Sequence, residues 1–235
     1  MDLGCWRLSV PISFPAQIWK LKHLRHLYAP GPIMLRGHYS EPDVVMWNLQ
    51  SMIAIVFDKQ TSSLINKGTF PNLKKLGLQI SQGCKDKWPK LLQSLQELSN
   101  LSKLRISFKR KLFEGSMSRD YVRVAFPPNV RKLTLTGISC MTDEGINALG
   151  NHTKLQILRL TGGIRMNSFD LYFGSHSFDL NCVAGGFPQL QVFQMTCLRV
   201  ENWKLGNGAM LCLRSLIIDN CDMLNDLPLE LWSLP

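Results

Sequence analysis

The sequence contains no C-x-x-C pair and no tight grouping of cysteine with histidine. Its seven cysteines, Cys5, Cys84, Cys140, Cys182, Cys197, Cys212 and Cys221, are odd in number and scattered. That pattern lacks the starting geometry for zinc or thioredoxin-like redox chemistry. It reads as the reduced set of an intracellular protein rather than the framework of a disulfide-dense secreted fold. Long apolar runs are also missing. The longest relevant one, Met52 to Phe57, has six residues, whereas a membrane helix needs roughly 20. Met1 to Pro15 lacks the basic start and continuous apolar stretch of a secretory signal. These absences predict a cytoplasmic or nuclear chain with no membrane insertion. Acidic residues are scarce, 17 against 27 Lys and Arg, which gives a formal net charge of +10 and a surface that attracts acidic partners. The basic clusters Lys85, Lys87, Lys90 and Lys109, Arg110, Lys111 have no nucleic-acid module beside them, so they read as surface charge with no specific nucleic-acid role. The five histidines make no metal-ligand spacing, and no G-x-x-x-x-G-K-[ST] phosphate loop occurs. No catalytic residue, metal or cofactor is therefore assigned, and an enzyme is not expected.

What the chain does have is an internal repeat. The pattern L-x-x-L-x-L, with apolar substitutions, is carried by eight blocks: Leu24-Leu27-Ala29, Met52-Ile55-Phe57, Leu73-Leu76-Leu78, Leu101-Leu104-Ile106, Val130-Leu133-Leu135, Leu155-Leu158-Leu160, Leu190-Phe193-Met195 and Leu213-Leu216-Ile218. Their first residues lie 28, 21, 28, 29, 25, 35 and 23 apart, most of them at or near the roughly 20 to 29 residue period of leucine-rich repeats, with room for a loop insertion in the long one. Phe70-Pro71-Asn72, Phe126-Pro127-Pro128-Asn129 and Phe187-Pro188-Gln189 precede three of the blocks. Proline suits that place because it can enter a strand but cannot donate within a ladder, and the aromatic is expected to fill the core between layers.

Alternation within a block puts the paired apolar residues on one face of a short strand. Stacking one strand per repeat predicts an α/β fold: a leucine-rich-repeat solenoid, an open horseshoe or arc, with a parallel sheet on its concave face and irregular or short-helical returns. At roughly 4.8 Å between strands, eight repeats make a sheet on the order of 35 to 40 Å long. Residues 1–235 are expected to form a single domain of about eight irregular repeats, truncated at one or both ends because neither end shows a convincing polar cap. Leu91, Leu92, Leu95 and Leu98 are spaced for one helical face. Asp143 to Leu149 predicts a helix with Thr142 as its cap and Gly150 as its stop. Residues 162–186 carry five glycines and are expected to be a loop insertion between repeats.

The strand register assigns the solvent face to His26 and Tyr28; Lys75, Gly77 and Gln79; Lys103, Arg105 and Ser107; Lys132, Thr134 and Thr136; Ile157, Arg159 and Thr161; Val192, Gln194 and Thr196; and Ser215, Ile217 and Asp219. Lys75, Lys103, Arg105, Lys132 and Arg159 predict a basic stripe that receives an acidic protein surface. Tyr28, Arg105 and Arg159 are the expected anchors, since aromatics and arginine dominate interface energy while lysines steer approach. Phe193, Trp203 and Trp232 are expected in the core, and Cys221 is expected to satisfy backbone groups at the turn after its strand.

The phrases IWKLKHLRHLYA at Ile18 to Ala29, GTFPNLKKLGL at Gly68 to Leu78, LSNLSKLRI at Leu98 to Ile106, FPPNVRKLTLTG at Phe126 to Gly137 and LRSLIIDNCDMLNDLPLELWSL at Leu213 to Leu234 carry a resemblance over essentially the full chain. It resembles the C-terminal repeat region of plant coiled-coil nucleotide-binding leucine-rich-repeat disease-resistance proteins. The resemblance implies a protein-recognition domain of an innate immune receptor. Such a domain binds a pathogen effector or a guarded host protein, or restrains the receptor's nucleotide-binding domain. The departure from the full receptor is the missing phosphate loop and coiled-coil region, which leaves recognition without signalling. Cys140 to Leu149, CMTDEGINAL, keeps open the substrate-recognition repeats of an F-box-type ubiquitin-ligase adaptor, and a nonfunctional receptor fragment is a third reading.

Overall fold

The computed structural model describes residues 10–35, 44–80, 92–108, 126–138, 141–162 and 177–234. The sequence features at Cys5, Cys84, Cys140, Lys85, Lys87, Lys90, Leu91, His38, His176 and Lys109 to Lys111 lie outside these residues. The chain is α/β with mostly parallel strands. Its described residues fall into two compact units, one up to residue 108 with Phe126–Asn129 and one from Val130 onward.

In the first unit the strands are β1 (Ile12–Ser13), β2 (His26–Leu27), β3 (Ile33–Met34), β4 (Ser51–Phe57), β5 (Lys75–Ile80) and β6 (Lys103–Phe108). They pair in parallel in the order β1-β3-β4-β5-β6, with β2 also on β4. The repeat drives this arrangement. Leu76, Leu78, Leu104 and Ile106 are at most 2% exposed, and each such side chain contributes about 1.5–3 kcal/mol only when a neighbouring strand covers it. Backbone bonds propagate the stack. The carbonyl of Arg25 accepts from the N–H groups of Gln50 and Ser51 (2.8 and 3.1 Å), that of Gln50 from Lys74 and Lys75 (2.9 and 3.1 Å), and that of Lys74 from Ser102 and Lys103 (both 3.0 Å).

That ladder corrects the register of the second repeat. Met52 pairs with Leu27 on one side and Leu76 on the other, so the repeat begins at Leu49, not Met52. The intervals around it then become 25 and 24 residues. The false frame arises from a bulge: Met52 and Ile55 face Leu76 and Leu78, one residue too many. Ala54 absorbs the extra residue at φ 69°, a left-handed conformation uncommon outside glycine.

A second ladder runs through the turns. The Nδ2 groups of Asn48, Asn72, Asn100 and Asn129 donate to the carbonyls of Lys22, Trp47, Pro71 and Ser99 at 2.9, 2.9, 2.8 and 2.7 Å. Each asparagine precedes the first apolar residue of its repeat and reaches back to the turn of the repeat before. These bonds are exposed, so Asn72→Ala or Asn100→Ala is expected to cost the first unit about 1 kcal/mol. The midpoint of urea unfolding should fall with an unchanged slope, and an unchanged midpoint would make the ladder energetically idle.

The returns of this unit include helix α1 (Lys59–Asn66), which the sequence pattern did not indicate. The Asp58 carboxylate caps it by accepting from the Thr61 N–H at 2.8 Å, and the buried Thr61 hydroxyl donates to the Val56 carbonyl at 2.9 Å. The apolar face expected around Leu92, Leu95 and Leu98 is buried, but on a 3₁₀ helix at Gln93–Glu97.

The second unit has β7 (Lys132–Ile138), helix α2 (Asp143–Gly150), β8 (Ile157–Gly162), β9 (Phe178–Cys182), β10 (Val192–Thr196), β11 (Val200–Leu205) and β12 (Ser215–Asp219). β7, β8, β10 and β12 form the repeat sheet. The same carbonyl device recurs, from Arg131 to Gln156 and Ile157, from Gln156 to Gln191 and Val192, and from Gln191 to Arg214 and Ser215. α2 begins as expected, with the Thr142 hydroxyl accepting from the Gly145 N–H at 3.4 Å.

Two returns here are extended rather than helical or irregular: β9 and β11 pair in parallel as a separate two-stranded sheet. β9 falls in the latter part of 162–186, while 163–176 lies outside the described residues. The layers meet through Phe193 and Trp203, 1% and 4% exposed, packed edge to face at 5.5 Å. The expectation of a core position therefore fits those two and fails for Trp232, which is 76% exposed on the final 3₁₀ helix, Leu229–Ser233. Phe70 and Phe187 fill the core as expected, whereas Phe126 is only half-buried. It stands four residues before Val130 instead of three before the first apolar residue, so it misses the layer.

Candidate functional interface

The face of each repeat sheet away from its leucines holds the six residues singled out from the sequence. In the first unit Tyr28 follows β2 and is 50% exposed. Lys75 opens β5 and Lys103 opens β6, and they stand opposite each other in register. Arg105 is two residues along β6, on the same face. Gly77 and Gln79, expected at the solvent face, are buried, Gln79 to 8% exposure. A Cβ on Gly77 would touch Ile53 Cα and Cγ2 at 3.4 Å, so the Ile53 side chain beside the β4 bulge closes over that position.

In the second unit Lys132 opens β7 and Arg159 sits at the middle of β8. Arg159 faces Thr134 on one side and Gln194 on the other. Thr136, Thr161, Thr196 and Asp219 form the next row across the four strands. The Gln194 side-chain amide donates to the Thr196 hydroxyl at 3.3 Å.

Arg105 and Arg159 share a feature that sequence reasoning did not reach. They occupy the same repeat position, immediately after the second leucine of the block, and are half-buried. In each the Nε–H is buried without a hydrogen-bond partner. An unsatisfied buried donor costs roughly 1–3 kcal/mol, and a partner's acceptor removes that cost only when the side chain turns outward to meet it, since the Nε–H itself is buried. Nothing in the residue order marks it, because Nε burial depends on which neighbours the stem lies against.

The cysteines behave as structural groups where they are described. Burial pushes the Cys182 thiol from about 9 up to about 12, against a smaller opposing pull from the Trp203 indole N–H. Burial also raises Cys221, which receives the Leu198 N–H and donates to the Asp219 carbonyl at 3.6 Å. Cys221 thus satisfies backbone groups at the turn, as its position implied. A raised thiol pKa stabilises the fold below the unfolded value near 9 and loses that contribution as the pH climbs toward 12. Among these thiols, iodoacetamide is expected to alkylate exposed Cys212 first and to reach Cys182 only on unfolding. Peptide mass spectrometry checks the order, and early labelling of Cys182 would contradict the burial.

No helix among the described residues is long and apolar enough to cross a membrane. No family model matches the chain. Among curated proteins, the disease resistance protein RPP8 of Arabidopsis thaliana is 28% identical over 241 residues, covering 93% of this chain and 25% of that protein. The probable disease resistance RPP8-like protein 4 of the same plant is 27% identical at the same coverage. The late blight resistance protein R1-A of Solanum demissum is 24% identical over 227 residues, 95% of this chain and 16% of that protein. The chain spans about a quarter or less of the length of these relatives. Along nearly its whole length, then, the chain is homologous to part of the plant coiled-coil nucleotide-binding leucine-rich-repeat disease-resistance proteins, the family its repeat phrases resemble.

Proposed function

We propose that this chain is the leucine-rich-repeat recognition region of a plant innate immune receptor acting in the cytoplasm, built as a solenoid, binding protein and not performing catalysis. The partner is an acidic protein surface: a pathogen effector, a guarded host protein or the receptor's own nucleotide-binding domain. The observation that supports this most is the repeated arginine. Two units place Arg105 and Arg159 at one repeat position, each with a buried Nε–H that lacks an acceptor. Arginine in such a setting is a strong anchor for a carboxylate because its planar fork donates two parallel bonds.

The test is quantitative affinity capture from pathogen-challenged plant cells with the parent chain and with Arg105→Glu and Arg159→Glu, singly and together, after equal folding is verified. Capture of a specific partner should fall about thirtyfold or more in the double variant, the scale of a lost interfacial hot spot. Undiminished capture by a folded double variant would remove the basic face from recognition.

A further inference from the structure

We propose that the first unit carries a receiving site for the phosphoryl group of a phosphorylated protein segment, formed by Lys75, Lys103 and Arg105. The inference rests on the protein-recognition reading and assigns a chemistry to one part of that face.

Three observations carry it. First, the cations are grouped. Lys75 and Lys103 are directly paired between adjacent parallel strands, whose backbones lie about 4.8 Å apart, and Arg105 projects from the same face two residues on. Second, the group is uncompensated. None of the described strand positions on this face of the unit is acidic: Ser51, Ile53, Val56, Gly77, Gln79 and Ser107 are its neutral positions on β4, β5 and β6. No side-chain hydrogen bond or ion pair joins either lysine, or Arg105, to another described residue. Like charges directly opposite each other on a sheet are unfavourable, so this unit bears a repulsion that an arriving anion would relieve. Third, Arg105 holds a buried Nε–H with no acceptor, and its register neighbour on β5 is Gly77, covered by the apolar Ile53 side chain, so no side-chain acceptor at that position competes for the guanidinium.

The charge count selects the anion. One carboxylate neutralises one of three cations, whereas a phosphoryl group near neutral pH carries close to two negative charges and three acceptor oxygens. It can take the arginine fork and both ammonium groups at once. The second unit offers the contrast: Arg159 stands between the neutral Thr134 and Gln194, and Lys132 is paired with Ile157 instead of with another cation, an arrangement with less charge to neutralise that suits a carboxylate.

The experiment titrates the full chain, by calorimetry at low and at physiological salt, with a pentapeptide carrying one central phosphoserine and with its serine and glutamate counterparts. Inorganic phosphate and a short single-stranded DNA are run alongside. The expected result is binding of the phosphopeptide about tenfold or more above the glutamate peptide. Lys75→Gln, Lys103→Gln and Arg105→Gln should each reduce it about tenfold, the size of a lost charge-assisted bond, and Arg105→Lys should fail to restore it. Lys67→Gln, exposed at the end of α1, should bind as the parent does. Lys75→Gln should also melt higher than the parent at low salt, since it removes a repulsion, and this separates lost binding from lost folding.

Equal binding of the glutamate and phosphoserine peptides would overturn the inference. So would DNA or free phosphate binding as tightly as the phosphopeptide, which would mark a general polyanion surface. If the phosphopeptide fails while partner capture still depends on Arg105 and Arg159, the recognition reading stands and only this inference falls. If neither dependence appears, both fall.

Discussion

Gly162→Ala is expected to prevent the second unit from reaching its native fold. A Cβ at this position would stand 2.0 Å from the carbonyl oxygen of Cys197 and 2.8 Å from its carbonyl carbon. Both are backbone atoms, so no rotamer change can make room. Cys197 is itself held tightly: it lies in the left-handed region at φ 54°, and its N–H donates to the Asp219 carbonyl at 2.8 Å. Moving it would break that bond and disturb the junction of β10 with β12. The loss should exceed about 4 kcal/mol, the range reserved for severe overpacking or backbone clashes, and should appear as loss of the cooperative thermal transition. Gly185→Ala is the matched control. Gly185 has φ 68° but open space around its would-be Cβ, so only the conformational penalty of about 1–2 kcal/mol applies. Equal effects from the two variants would show that the close approach at Gly162 is relieved cheaply.

Phe193→Ala is expected to cost about 3–5 kcal/mol. The ring is 1% exposed and joins the repeat sheet to the β9–β11 layer through its edge-to-face contact with Trp203. Removing it leaves a cavity between two layers, each held in place by its own backbone ladder, so collapse to fill the space is limited. Thermal unfolding should shift downward and the fluorescence of Trp203 should change with it. A change of less than about 1 kcal/mol would mean that the layers close over the gap.

The parts of the fold that were legible in the sequence are those decided locally. Strand pairs such as Leu133 with Leu135 and Leu158 with Leu160 alternate with polar residues, and alternation dictates which side chains share a face wherever the strand ends up. The cap at Thr142 was legible for the same reason, since a capping oxygen acts within three residues. The frame of the second repeat is not legible locally, because Met52, Ile55 and Phe57 imitate the pattern by accident. Only the partners Leu27 and Leu76 reveal that Leu49 is the true first residue. Helix α1 is faint in the sequence because its serines and threonine are weak helix formers, although Asp58 three residues before Thr61 is a capping signal. The asparagine ladder was equally available, as the same residue recurs one place before the first apolar position in four repeats. Two of these asparagines, Asn72 and Asn129, stood in plain view beside their prolines.

The candidate interface divides in the same way. Period-two alternation assigned Lys75, Lys103, Arg105, Lys132 and Arg159 to one face of their strands, and strand geometry requires it. It also assigned Gly77 and Gln79 to solvent, which Ile53 and the neighbouring strands overrule. By itself, then, the sequence determined the repeat, the parallel pairing it imposes, the set of cations on the polar side and the resemblance to plant resistance proteins, because each depends on spacing along the chain. Tertiary structure alone decided the bulge at Ala54, the extended returns of the second unit, the clash that reserves position 162 for glycine and the unpaired Nε–H groups of Arg105 and Arg159. Those features depend on atoms from different repeats meeting within a few ångströms, and the order of residues holds no local signal for such meetings.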